Sequence, residues 1–102
     1  MTHLNQLKLT ASLKEIPHVR YTPSGLPCVE FCLQHQSEQL ESKTMRKVEC
    51  EIDSIAFGPL AQEIAAYQLQ RDYDWLGFLT AKSAKYPRLV FHIQAIRQSE
   101  VI

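Results

Sequence analysis

No stretch of this 102-residue chain approaches the ~20 consecutive apolar residues needed to span a bilayer, and the opening MTHLNQLKLT lacks the charged-then-apolar order of a signal peptide. The expectation is a cytoplasmic protein with no membrane partner. Cysteine is scarce and odd in number, with only Cys28, Cys32 and Cys50. On one strand the first two would stand about 13 Å apart at ~3.3 Å per residue, beyond the ~4.4–6.8 Å Cα span of a disulfide, so free thiols are expected. These cysteines and His3, His18, His35 and His92 show no CxxC or HxxxH spacing, which leaves zinc without a ligand set. Three glycines in the whole chain, with no GxxxxGK[ST] and no GxGxxG, leave little from which to build a phosphate cradle. No Ser-His-Asp or Cys-His arrangement is legible, so neither an enzyme nor a cofactor is expected. Net charge is missing too: 11 basic residues balance 11 acidic ones, which argues against gripping nucleic acid by overall positive charge.

What is present is alternation. From Leu7 to Leu13 the odd positions are Leu7, Leu9, Ala11 and Leu13 and the even ones are polar, the period of a strand with one buried face. Ile16-Pro17 interrupts it, because proline cannot donate to a ladder, and pairing is expected to resume around residues 18–21. Thr22-Pro23-Ser24-Gly25 is turn chemistry, with Pro23 presetting φ and Gly25 free to take positive φ. A second strand follows with Val29, Phe31 and Leu33 inward, forming a hairpin with the first. Residues 36–44, QSEQLESKT, are polar and aperiodic and read as an exposed loop. A third strand sets Val48, Cys50 and Ile52 against Glu49, Glu51 and Asp53, and near Ser54 a bulge is expected to turn Ile55 and Phe57 inward.

Gly58-Pro59 opens the only helix signal, with Leu60, Ile64 and Tyr67 predicting about three turns. A fourth strand, Tyr73 to Thr80, is apolar on both faces. Leu76 and Phe78 on its outer side look too apolar for water, and pairing with a second copy would cover them. A fifth strand carries Leu89, Phe91, Ile93 and Ala95 on one face and Val90, His92, Gln94 and Ile96 on the other. Three strands, a short helix and two strands is the element order of an all-β, five-stranded OB-fold barrel, here as a single domain over residues 1–102.

Charge is uneven along the chain. Lys82, Lys85, Arg88 and Arg97 lie in an acid-free stretch from Ala81 to Ser99, and Lys43, Arg46 and Lys47 form a second basic cluster. In KSAKYPR, residues 82–88, cations for phosphates are interleaved with Tyr86, a ring on which any base can stack. The same composition equally suits a solvated hairpin tip. Glu49, Glu51 and Asp53 read as a solvated strand face, with no pocket that would separate an acid from a base.

The stretch PSGLPCVEFCLQHQS closely resembles the bacterial primosomal replication protein N family, PriB, through Pro23, Ser24, Gly25, Pro27, Phe31, Leu33, His35 and Ser37. Arg46, Cys50, Gly58, the Gly77-Phe78 pair, Val90 and His92 extend the resemblance over most of the chain. It implies an OB-fold homodimer acting at replication forks, which binds single-stranded DNA and the restart helicase PriA, with DnaT as a further partner in some lineages. It also implies DNA-binding cations at Arg20, Lys82, Lys85 and Arg88. Two departures stand out: Gln36 occupies the position of a family arginine, and Val48 or Glu49 that of a tryptophan. Tyr21 and Tyr86 are the rings that remain to replace it. Each stacked base is worth ~1–3 kcal/mol, so DNA binding weaker than in a typical relative is expected. A second reading is a protein-interaction adaptor whose row Glu49, Glu51 and Asp53 meets a basic partner, with DNA contact secondary.

Overall fold

The computed structural model describes residues 2–99; Met1 and residues 100–102 of the expected 1–102 domain lie outside the described residues. The strands are β1 (Leu7–Leu13), β2 (Arg20–Tyr21), β3 (Pro27–Glu41), β4 (Thr44–Phe57), β5 (Tyr73–Ala81) and β6 (Leu89–Gln98), with helix α1 (Pro59–Ala65) between β4 and β5. They lie in the order β1-β5-β6-β4-β3-β2, and β3 returns to pair with β1, closing five strands into a ring with β2 as a short addition. This is the expected OB-fold order. Two of the ring's contacts are short seams. The β1–β3 ladder has only the pairs Ser12↔Gln34 and Leu13↔Leu33, and the parallel β4–β6 ladder only Ser54↔Phe91 and Ile55↔His92.

The core follows the alternation. Ala11 and Leu13, then Val29, Phe31 and Leu33, then Tyr73 and Trp75, then Phe91 and Ile93 are buried inside the ring. Trp75 is fully buried 5.5 Å from the Phe31 ring, and its indole N–H donates to the Ala11 carbonyl at 2.8 Å, so its one polar atom is satisfied. Ala61 and Ile64 of α1 close one end of the ring. The turn forms as expected, with the Gly25 N–H donating to the Thr22 carbonyl at 2.8 Å and Gly25 at φ 87°.

Several expectations are corrected. Residues 36–44 are not a loop. Strand β3 continues to Glu41, which pairs with Thr44, and the chain reverses at Ser42 and Lys43 with φ of 50° and 69°, the positive values of a type I′ hairpin turn. The segment showed no period because no core lies beneath it: both faces of this arm meet water. Nor is there a slip near Ser54. The β3–β4 register is unbroken from Cys28↔Phe57 to Glu41↔Thr44, so Ser54 and Ala56 face inward while Ile55 and Phe57 face out. Small residues suit that place: Ser54 lies opposite Phe31 and Ala56 opposite Val29, and the Ser54 hydroxyl donates to the Ile52 carbonyl. Helix α1 is 7 residues, about two turns rather than three.

The irregularity is instead between β5 and β6. Leu76 pairs with Ala95 and Gly77 with Ile93, so Gln94 is an extra residue and the face on which the chain buries side chains switches. Ile96 therefore packs on the core and Ala95 shares Leu76's face, the reverse of the sequence expectation. Gly77 is obligatory here, since a Cβ would stand 1.8 Å from the His92 carbonyl oxygen.

Candidate functional site

OB folds bind along the outer face of the long central hairpin and the loops that flank it. In this chain that face belongs to β3–β4, flanked by residues 14–26 on one side and 82–88 on the other. The second flank is a closed turn. The Lys82 N–H donates to the Arg88 carbonyl at 2.8 Å, the Ser83 N–H to the Tyr86 carbonyl at 3.1 Å, and the Tyr86 N–H to the Ser83 hydroxyl at 3.0 Å. This lifts Tyr86, 58% exposed, into solvent with the Lys85 ammonium 5.7 Å from its ring centre. A ring and a cation are thus presented together, as stacking on a base beside a phosphate requires.

Three cations of the barrel face, Arg88, Arg20 and Lys14, are engaged in ion pairs. The Arg88 guanidinium donates to an Asp53 carboxylate oxygen at 3.0 Å, tying the turn to β4, and Arg20 pairs with Glu30 at 2.7 Å on β3. Lys14, just after β1, donates to Glu51 at 2.9 Å. That contact raises the Lys14 pKa. Tyr21 follows Arg20 on β2 and is 63% exposed, so a second ring is open to solvent at the opposite flank.

Lys43, Arg46 and Lys47 are not brought to this place. From Asp53 to Arg46 the ladder covers about 23 Å at ~3.3 Å per residue, which puts this cluster on the far arm. Alternation also divides it: Lys47 lies opposite Glu38 on the face of Glu49, Glu51 and Asp53, whereas Arg46 lies opposite Gln39 on the other and pairs with Glu41 at 2.8 Å.

Cys32 sits half-buried between the flanks; burial and then the charges of Glu51 and Asp53 push its thiol pKa up, away from nucleophilic use. His35 holds β1 to β3. Its Nδ1 lies 2.6 Å from the Thr10 carbonyl and so carries the proton, and its Nε2 lies 2.8 Å from the Ser37 hydroxyl and accepts. Among the described residues no group of His, Cys, Asp and Glu is placed to hold a metal ion, and no helix is long and apolar enough to cross a membrane.

Leu76 and Phe78 lie half-buried on the outer face of β5. Phe78 stacks on His92 at 5.0 Å, and Phe57 approaches the same imidazole at 6.1 Å. With Ile55, paired to His92, they make an apolar band across β5, β6 and β4. Burial lowers the His92 pKa.

Sequence reasoning missed the role of Lys14 and the three carboxylates as ion-pair partners. The pairs Lys14–Glu51 and Arg88–Asp53 are separated by 37 and 35 residues, so only the sheet register reveals them.

A family described as "Another single-strand binding protein family" matches residues 5–95. The replication restart protein PriB of Bordetella pertussis is 35% identical over 95 residues, covering 93% of this chain and 89% of that protein. PriB of Nitrosomonas europaea is 31% identical over 93 residues, covering 91% and 86%. The structure of PriB from Ralstonia solanacearum superposes with a TM-score of 0.84 at 34% identity, over 96% of this chain and 100% of that one. The SSB domain of a Synechococcus protein, at 18% identity and a TM-score of 0.73 over 96% and 99%, shares the fold.

Proposed function

We propose, from the premise that the chain belongs to the PriB family of replication restart proteins, that it is an accessory single-stranded-DNA-binding protein of the replication-restart primosome. In this reading Arg20, Lys82, Lys85 and Arg88 meet phosphates while Tyr21 and Tyr86 take bases, and Lys43 and Lys47 extend the path along the arm, with Arg46 on the arm's other face. The protein works in the cytoplasm as one OB-fold domain per chain, residues 1–102, without a cofactor or a catalytic step of its own. It forms a homodimer through Leu76 and Phe78 and binds and stimulates the PriA helicase, with DnaT a further partner in some lineages of the family.

The observation that carries this reading is the exposed Lys85–Tyr86 pair on a closed turn tied to the β3–β4 face by Arg88–Asp53. Affinity is set below that of typical relatives, because Arg20 and Arg88 are already paired with carboxylates and Gln36 stands in place of a cation. In a fluorescence-anisotropy titration with a single-stranded oligonucleotide, changing Lys82, Lys85 and Arg88 together to alanine weakens binding at least tenfold, as expected for a few lost phosphate contacts. Unchanged binding would sink the DNA reading.

The carboxylates favour a second reading, an adaptor in which Glu49, Glu51 and Asp53 receive a basic partner. Salt decides between them. Binding through several phosphates falls steeply between about 50 and 200 mM salt, and a flat response supports the adaptor.

A further inference from the structure

The ion pairs on the barrel face carry a consequence for affinity. Arg20, Lys14 and Arg88 each end on a carboxylate of the β3–β4 hairpin, at 2.7, 2.9 and 3.0 Å. Glu30 reaches Arg20 from β3, and Glu51 and Asp53 share the outward face of β4. All six side chains are between 47% and 77% exposed, so an arriving phosphate can reach the cations but meets the carboxylates in the same place.

A phosphate and a carboxylate make the same kind of charge-assisted contact with a guanidinium. We infer that Glu30, Glu51 and Asp53 are built-in competitors for DNA phosphates, which hold the face's cations in ion pairs and set the strength of single-strand binding. This rests on the DNA-binding reading above. Each phosphate that takes Arg20, Lys14 or Arg88 must displace a carboxylate, and the displaced carboxylate stays beside the strand, where it repels the backbone and retains a counterion. Binding is thereby weakened, and its salt dependence is flattened relative to a face bearing the same cations alone. Exposed pairs of this kind exchange readily with solvent and salt, so the competition limits the affinity without abolishing it. The absence of net charge is then a local matter: the negative charges stand among the groups that would receive DNA.

The test is an oligonucleotide titration at two salt concentrations with four proteins: wild type, E51Q/D53N, the charge-matched E63Q/D74N, and K82A/K85A/R88A. Glu63 accepts from Tyr67 and Asp74 from Thr10, so neither holds a candidate DNA-binding cation. The expected result is that E51Q/D53N binds about tenfold more tightly than wild type at low salt, with a steeper salt slope, while E63Q/D74N changes binding by less than about threefold. Equal tightening in the two double variants would reduce the effect to net charge and overturn the inference. So would wild-type binding by E51Q/D53N when the alanine triple is weakened, an outcome that keeps the DNA reading. Wild-type binding by the alanine triple, or no binding by any protein, overturns both. Binding gained only by E51Q/D53N supports the inference most directly.

Discussion

The β3–β4 ladder is one structure with two environments. From Cys28↔Phe57 to Leu33↔Ile52 it forms part of the barrel wall, with Val29, Phe31 and Leu33 buried against Trp75 and Phe91. From Gln36↔Glu49 to Glu41↔Thr44 the same unbroken register continues as an arm whose side chains are almost all exposed, including Leu40 at 70% and Met45 at 59%. The hydrogen bonds are of the same kind in both halves; the burial is not. Backbone pairing, with exposed contacts such as Arg46–Glu41, keeps the arm's geometry, but the barrel half is where buried side chains anchor the fold and where Lys14, Arg20 and Arg88 are held in ion pairs. Among the described residues, the arm's Lys43 and Lys47 stand on a ribbon with no buried side chain beneath it.

That contrast can be broken first in the barrel. Trp75→Ala removes the largest buried side chain and leaves the Ala11 carbonyl without its donor, and is expected to destabilise the protein by about 3–5 kcal/mol in chemical denaturation. A cost near that of a surface substitution would mean that the core does not depend on it.

Acid should strain the barrel before the arm. His92 has its pKa lowered by burial, so the folded state binds its proton less readily than the unfolded state. Its contribution to stability is complete above the unfolded value near 6.5 and is lost as pH falls through the lower folded value. Stability should therefore drop below about pH 6.5, with a slope from this group of at most ~1.4 kcal/mol per pH unit. His92→Phe removes that part of the slope; an unchanged pH profile in the variant would assign it to another group.

The smallest effect is expected at the arm's tip. Ser42 and Lys43 both adopt positive φ, which Asn-Gly adopts with less strain. Replacing the pair by Asn-Gly should raise stability by no more than about 1 kcal/mol while slowing amide exchange in residues 38–47. Faster exchange would show that the Ser-Lys turn is held by something other than its backbone.

Much of this fold was legible where a single face is buried. The alternation of β1 and of Val29, Phe31 and Leu33, the turn at Gly25, and the helix start at Pro59 all appear in the structure as the residues imply. The arm was illegible because a ribbon wet on both faces has no hydrophobic period to detect. Ser54 and Ala56 were misassigned because small inward residues lie beside Ile55 and Phe57, whose apolar character belongs to the outer band. The bulge at Gln94 needed the partner strand, since an extra residue is defined only by what it fails to pair with. The cations and rings of the candidate site can be named from the sequence, but the carboxylates that hold Lys14 and Arg88 come from a strand distant in sequence.

The two short seams of the ring have a mechanical meaning. The continuous ladders make two stiff leaves, β1-β5-β6 and β3-β4, hinged along Ser12/Leu13 on one side and Ser54/Ile55 on the other. Lys14–Glu51 and Arg88–Asp53 each reach across from one leaf to the other, so they also act as clasps on this clamshell. Under the proposed DNA-binding reading, a phosphate that draws Lys14 or Arg88 away from its carboxylate also unfastens a clasp between the leaves.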